Sequence, residues 1–379
     1  NGRFLAVLEG TGEAKRIEER LEEFESNWAR KTRDNELTAK DRKEYQEIID
    51  TYHQLLKEHS RNEALDKLRK KFGEKKLGLP RGFIYKVIKK EDVFDAGAYL
   101  ESLAPEIRDV MRRVLIFGGV PEKESDVKSL WKLPKLPEDL KGLDEDLKEK
   151  VKEEYGRLIN EGKWIVLEKN TGQEEIYWAP NAYYIDWSRR SVKVLSSSSK
   201  ARWQGYEYYF RGGVSISSIS ESQFRVKIAE PTVFEHKSHV LEPHQIIEGL
   251  FGANCLTAFL NSNFAFYLTK EYLNHTVEPE LDDLRLLPVV IPTETQRKEI
   301  EALVDEAIEI QKKRYASEKE EEKLQLWKEL QEVQERINEK VEGIYAGFKT
   351  CLKYRKPFYN IHTKIKIREV RKIWILQLM

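Results

Sequence analysis

The sequence predicts an α+β protein with a helical N-terminal spacer, a β-rich middle domain and a C-terminal antiparallel helical hairpin. Two observations predict it. Apolar residues recur at helical spacing over residues 13 to 75 and again after residue 293. Between residues 163 and 240 the pattern changes to short runs of β-branched and aromatic residues separated by turn formers. The expected boundaries are a helical spacer over 1–76, a mixed connector over 77–150, the β-rich domain over 151–297, the helical hairpin over 298–348 and a basic tail over 349–379.

In the N-terminal spacer Ile17, Leu21, Phe24 and Trp28 share one helical face. Thr38 followed by Asp41 looks like a capping box, and Tyr45, Ile48, Ile49, Tyr52 and Leu56 line the helix it opens. Acids and bases cancel over residues 1 to 75, 17 of each, so these helices read as solvated. The connector holds a helix near 104 to 116, and Glu122 to Lys150 reads as a linker with one charged helix. The middle domain opens on a hairpin signal, Trp164–Leu167 and Ile176–Trp178 flanking Asn170-Thr171-Gly172. Further β-type runs are Val192–Leu195, Tyr206–Phe210, Val214–Ile219 and Phe224–Ile228. Thr293 and Gln296 form a capping box for a helix with the stripe Ile300, Leu303, Val304, Ala307 and Ile308. A partner helix carries Leu324, Trp327, Val333, Ile337, Val341 and Ile344. The tail holds nine Lys or Arg against Glu369, and its Lys364-Ile365-Lys366-Ile367 alternation suits an edge strand as well as an unfolded end.

Composition narrows the function. The formal net charge is zero over 379 residues, which excludes a uniformly basic nucleic-acid binder but permits a polarised surface. Two cysteines, Cys255 and Cys351, make no disulfide framework and suit a reducing cytoplasm. No apolar run is long enough to span a bilayer, and no signal peptide opens the chain. Scarce Met and Cys beside abundant Lys and Glu suggest a thermophile source.

Part of the middle domain carries a net positive charge in a neutral chain. Residues 181 to 240 hold nine bases and five acids with ten aromatics interleaved. That composition fits a basic, aromatic surface for nucleic acid, and equally a β-domain whose aromatics are core and whose bases are merely exposed.

The order of residues adds to this. Ala201-Arg202-Trp203-Gln204-Gly205 leads into Tyr208-Tyr209-Phe210-Arg211-Gly212-Gly213-Val214-Ser215-Ile216-Ser217, then Ser222, Phe224 and Thr232-Val233-Phe234. This resembles the target-recognition domains of type IIG restriction-modification enzymes and of BREX-type phage-defence methyltransferases. A second stretch, Leu260-Asn261-Ser262-Asn263-Phe264, continues through Leu286-Leu287-Pro288 to Ile291-Pro292 and the capped helix. It is similar to the pattern of bacterial DNA-specificity domains. Together the two cover roughly residues 160 to 345.

The resemblance implies sequence-specific recognition of double-stranded DNA for an adenine-N6 DNA methyltransferase, in which the target base is flipped out and methylated with S-adenosylmethionine. By residue type and motif position, Arg189, Arg190, Lys200 and Arg202 are expected mainly to meet phosphates, and Gln204, Arg211, Ser215, Ser217 and Arg225, which flank a Gly-rich approach, to contact bases. Trp203, Tyr208, Tyr209 and Lys227 complete the expected DNA-binding surface. The catalytic chemistry needs two adjacent prolines and an aromatic, and this sequence has no Pro-Pro pair; Trp178-Ala179-Pro180-Asn181 lacks the order. No catalytic residue, cofactor or metal is therefore expected here, and the methyltransferase catalytic region is expected on another domain or chain.

Other readings have weaker residues behind them. Leu8-Glu9-Gly10-Thr11-Gly12 is a lone Gly-x-Gly turn. Glu235-His236-Lys237 with Asp186 or Glu230 outlines a nuclease carboxylate set, but such triplets arise by chance in a chain this charged. His236, His239 and His244 have no cysteine pair beside them to make a zinc site. The rival from a different class is a non-catalytic helical interaction or assembly protein with a β-domain insert.

Overall fold

The computed structural model describes residues 4–79, 85–169, 175–198, 201, 203, 205–217, 223–235, 238–241, 251–276 and 280–345. The fold is α+β, with helices over most of the described chain and seven short strands.

The N-terminal helices form where their caps and stripes dictate. Helix α1 (Gly12–Lys31) is capped by Thr11, which accepts from the Ala14 amide, and buries Ile17, Leu21 and Trp28. Helix α2 (Ala39–Leu55) starts at Thr38, whose hydroxyl accepts from the Asp41 amide; the Asp41 carboxylate accepts from that hydroxyl at 2.8 Å, so the expected capping box forms only in its N-cap half. Trp28 meets Tyr52 edge-on, ring centroids 5.8 Å apart, and donates its indole N–H to the Leu77 carbonyl at 2.7 Å. Helix α3 (Arg61–Phe72), opened by a Ser60–Glu63 capping box, and the short α4 (Glu74–Leu77) complete the group. These helices do not stand apart as a spacer. Strand β1 (Leu5–Leu8), which precedes them, pairs in parallel with β2 (Lys86–Ile88) and antiparallel with β4 (Tyr183–Asp186).

The chain divides into two compact units. The first comprises Asn1–Glu168, Asn181–Arg211 and Pro231–Phe234; the second comprises Lys169–Pro180, Gly212–Glu230 and Glu235–Met379. In the first, β3 (Trp164–Glu168) pairs antiparallel with β4 and in parallel with the last residues of β6 (Val226–Phe234), Leu167 opposite Val233. The strand order there is β2-β1-β4-β3-β6. The expected hairpin from β3 is thus corrected. Asn170 to Gly172 lie outside the described residues, and β3 takes β4 and β6 as neighbours. Tyr177 instead bridges to Lys227 within the second unit.

The stretch read as a linker is packed structure. Helix α5 (Ala96–Ser102) leads into α6 (Pro105–Gly118), and α7 (Glu124–Lys128), α8 (Glu138–Lys141) and α9 (Glu145–Arg157) follow. Leu130, Leu136, Leu140, Val151 and Tyr155 are all buried, because their apolar spacing survives between the proline breaks. Val192–Leu195, expected as a strand, lies in helix α10 (Arg189–Ser197), and Tyr206–Tyr208 is a 3₁₀ turn. The short apolar runs were ambiguous between helix and strand, and tertiary packing resolved them.

In the second unit β5 (Arg211–Ser217) lies between β6 and β7 (Ser238–Leu241). The capping box at Thr293 and Gln296 forms as expected and opens α14 (Glu294–Ala316). It pairs with α15 (Glu320–Tyr345), and cross-helix bonds Arg336–Glu306 and Lys340–Glu299 set the pair antiparallel. The short helices α11 (Ala253–Asn261), α12 (Asn263–Leu268) and α13 (Leu281–Arg285) pack their apolar faces, including Phe259, Phe264 and Leu284, into the same core as Val304, Leu330 and Ile337. The expected basic tail lies outside the described residues.

Candidate nucleic-acid interface

Helix α10 is seated by backbone. Gly119 closes α6 with φ +64, and a Cβ there would sit 2.5 Å from the Trp187 carbonyl, so only glycine permits the approach. The Val120 amide then donates to Trp187 O at 2.8 Å, and the Arg189 amide donates to Val120 O at 2.9 Å. The Trp187 indole N–H donates to Leu115 O at 2.9 Å, while Ser188 caps the helix.

Charge on this segment differs from that of the charged helices. Residues 187 to 206 contain Arg189, Arg190, Lys193, Lys200 and Arg202 and no acid. In other helices many bases are matched to acids three or four residues away, as in Lys148–Glu145, Lys152–Glu149 and Lys312–Glu309. Arg190 and Lys193 are exposed. Arg189 is used internally: its guanidinium donates to the Asp126 carbonyl and the Ser129 hydroxyl, with the Asp126 carboxylate 3.6 Å away. Lys135 reaches the Ser196 carbonyl at the other end of the helix. Lys200, Arg202 and Gln204 lie outside the described residues.

The segment after α10 turns sharply. Gly205 adopts φ 75, and Tyr206–Tyr208 follows as a single 3₁₀ turn. Phe210 stands at φ 59, a conformation costly for a bulky side chain, and its amide donates to Thr232 O at 2.8 Å. Trp203 stacks on Trp187 at 5.6 Å with planes 4° apart, and Tyr209 meets both edge-on. Tyr209 is buried, and that burial pushes its hydroxyl up to about 12. Tyr208, by contrast, is 46% exposed, and the half-buried Arg211 guanidinium lies over its ring, 6.0 Å from the centroid.

The remaining expected contacts divide by burial. Arg225 is half-buried in the second unit. Ser215, Ser217 and Lys227 are buried, and Lys227 forms an ion pair with Glu175 at 3.2 Å. Strand alternation puts Ser215 and Ser217 on one face and Val214 and Ile216 on the other, and both faces are buried. Burial thus corrects the expectation that Tyr209, Ser215, Ser217 and Lys227 line an accessible surface.

The second motif is structural. Asn261 ends α11 and treats β6 as a strand partner: its side-chain oxygen accepts from the Val226 amide at 3.0 Å and its nitrogen donates to Val226 O at 2.8 Å. Ser262 caps α12, accepting from the Ala265 amide. Tyr345 donates to Pro288 O at 2.6 Å and accepts from the Val290 amide at 3.0 Å, tying the proline-flanked segment to the hairpin. The Tyr177 hydroxyl donates to Gln334 at 2.6 Å.

Sequence reasoning missed Arg112. It is buried in α6 and donates to the carbonyls of Glu207 at 2.9 Å and Tyr209 at 3.3 Å, with Asp109 holding its other edge. A base inside the apolar stripe Met111, Val114 and Leu115 was the available signal.

The Gly10–Gly12 loop does sit between a strand and a helix, with β2 parallel to β1. Yet Thr11 is spent on capping α1, and β2 ends at Ile88 before Lys89 and Lys90, where a ribose would need a carboxylate. These residues do not fit a nucleoside cofactor. Among the described residues no cluster of His, Cys, Asp and Glu is arranged to hold a metal, and no helix is long and apolar enough to cross a membrane. Cys255 is buried, which pushes its thiol up to about 12. Comparison with protein families finds no family that matches this chain, and comparison with curated proteins finds no similar sequence.

Proposed function

We propose that this chain recognises a specific sequence in double-stranded DNA and directs an adenine-N6 DNA methyltransferase of the restriction-modification or phage-defence kind. The methyl donor, S-adenosylmethionine, would be held by a catalytic region on another domain or chain. The observation that carries the reading is the acid-free basic stretch of residues 187 to 206, with Arg190 and Lys193 exposed, in a chain of zero net charge. A phosphate backbone is the partner such a segment attracts, since each neutralised phosphate releases condensed counterions. The order of the two motifs that resemble target-recognition domains gives further support.

The test is selection of bound duplexes from a randomised library at about 0.1 M salt, followed by titration at rising salt. Enrichment of one short motif with salt-sensitive affinity is expected. Binding without enrichment would reduce the reading to a DNA-binding scaffold. No binding at any salt would overturn it in favour of an interaction or assembly protein.

A further inference from the structure

Helix α10 buries one of its two valines and turns the other outward. In a strand Val192 and Val194 would share a face; in the helix they stand about 200° apart. Val192 is buried beside the Gly119 seat, and Arg189 is drawn inward to Asp126 and Ser129. The opposite face holds Arg190, Lys193, Val194 and Ser197, all exposed and within an arc of about 100°. Val194 is 38% exposed, and a β-branched residue on a solvated face suits a helix less well than alanine would. The Ser197 hydroxyl turns back to donate to the Lys193 carbonyl at 2.6 Å, so it adds neither charge nor reach to this face. Lys135, itself exposed, donates to the Ser196 carbonyl. It sets a cation at the negative end of the helix, where a phosphate would otherwise be repelled.

Resting on the DNA reading above, we infer that the outer face of α10 enters the major groove and that Val194 selects a thymine through its methyl group. The major groove admits an α-helix, and the thymine methyl is the apolar group that base edges present there. Arg190 and Lys193 share the face with Val194, and no acid lies between residues 187 and 206, so they meet the phosphates that border the groove. The seat holds this face in place before DNA arrives, because the Val120 amide donates to Trp187 O and the Arg189 amide to Val120 O. Phosphate contacts position the helix, and one apolar contact reads a base.

The experiment is the library selection on the full chain, run in parallel with Val194→Ala and Val194→Glu. Binding is then measured to the selected duplex with each thymine replaced in turn by deoxyuridine, which lacks only the methyl. At one position uracil should weaken wild-type binding about fourfold, the worth of one methyl removed from water, and should cost Val194→Ala nothing. Val194→Ala should flatten the preference at that same position and unfold at the wild-type temperature or above. Val194→Glu should weaken binding to every duplex, since it sets a carboxylate against phosphates. Uracil costing wild type and Val194→Ala equally at every position would overturn the inference and leave DNA recognition standing. A selected motif without an A·T pair, or unchanged binding by Val194→Glu, would do the same. Wild-type binding without enrichment would overturn the inference and leave a DNA-binding scaffold. No binding by the wild type would overturn both readings.

Discussion

The two stretches on which the DNA reading rests use their polar residues in opposite ways. Around α10 and the Gly205–Arg211 turn, polar and aromatic groups reach solvent: Arg190, Lys193 and Tyr208 are exposed, held by a buried frame of Trp187, Arg112 and Phe210. Around Asn261–Pro292 they turn inward, where Asn261, Ser262 and Tyr345 satisfy backbone groups that packing would otherwise orphan. A motif in sequence can therefore mark a surface or a joint. Burial separates the two, because an amide that completes a strand partner's hydrogen bonds cannot also reach a ligand.

This contrast can be broken by experiment, with local hydrogen exchange reporting on each unit. The largest effect is expected from Trp187→Ala, a side chain 1% exposed that frames the first unit's surface. It should cost about 3–5 kcal/mol there and leave exchange in the second unit unchanged. Asn261→Ala should do the converse, destabilising the second unit by about 2–3 kcal/mol because both Val226 backbone groups lose their partner. If Asn261→Ala were neutral, the second motif would not be a joint.

Alkaline pH should weaken both units. Tyr52 and Tyr209 in the first and Cys255 in the second are pushed up to about 12, from ordinary values of 10.0 and 9.0. The folded state keeps these protons where the unfolded chain releases them, so stability is whole below the unfolded values and falls as pH rises through the folded ones. Protection in the second unit should begin to fall near pH 9 and in the first near pH 10; loss instead on acidification would contradict the burial assigned to these groups. The smallest structural effect belongs to Arg190→Ala with Lys193→Ala, under about 0.5 kcal/mol in stability. Its signature is instead a salt slope shallower by about one for each phosphate that is no longer neutralised. A slope unchanged in this variant would detach α10 from DNA binding.

Much of the helical architecture was legible in the sequence. Thr38, Thr293 and Gln296 sit at the caps they announce, and the stripes of Ile17, Leu21 and Trp28 and of Ile300, Leu303 and Val304 are the buried faces. Caps and periodicity are properties of contiguous residues, so a linear reading captures them. The short apolar runs were not legible, since Val192–Leu195 and Tyr206–Phe210 carry strand-like residues and became a helix and a turn.

Of the candidate site, sequence alone determined the residue types and the concentration of base and aromatic between 187 and 217. Only the tertiary structure decided which of them face outward. Ser215 and Ser217 alternate correctly for a shared face, but strand alternation does not say that both faces of the strand are covered, as they are here. Arg112 acts on carbonyls 95 and 97 residues away, and Asn261 pairs with a strand residue 35 positions upstream. Such contacts depend on how distant elements pack, and neither partner carries a local mark of the other; that is why the sequence supplied the residue types around α10 and the Gly205–Arg211 turn, and the fold supplied their frame and their exposure.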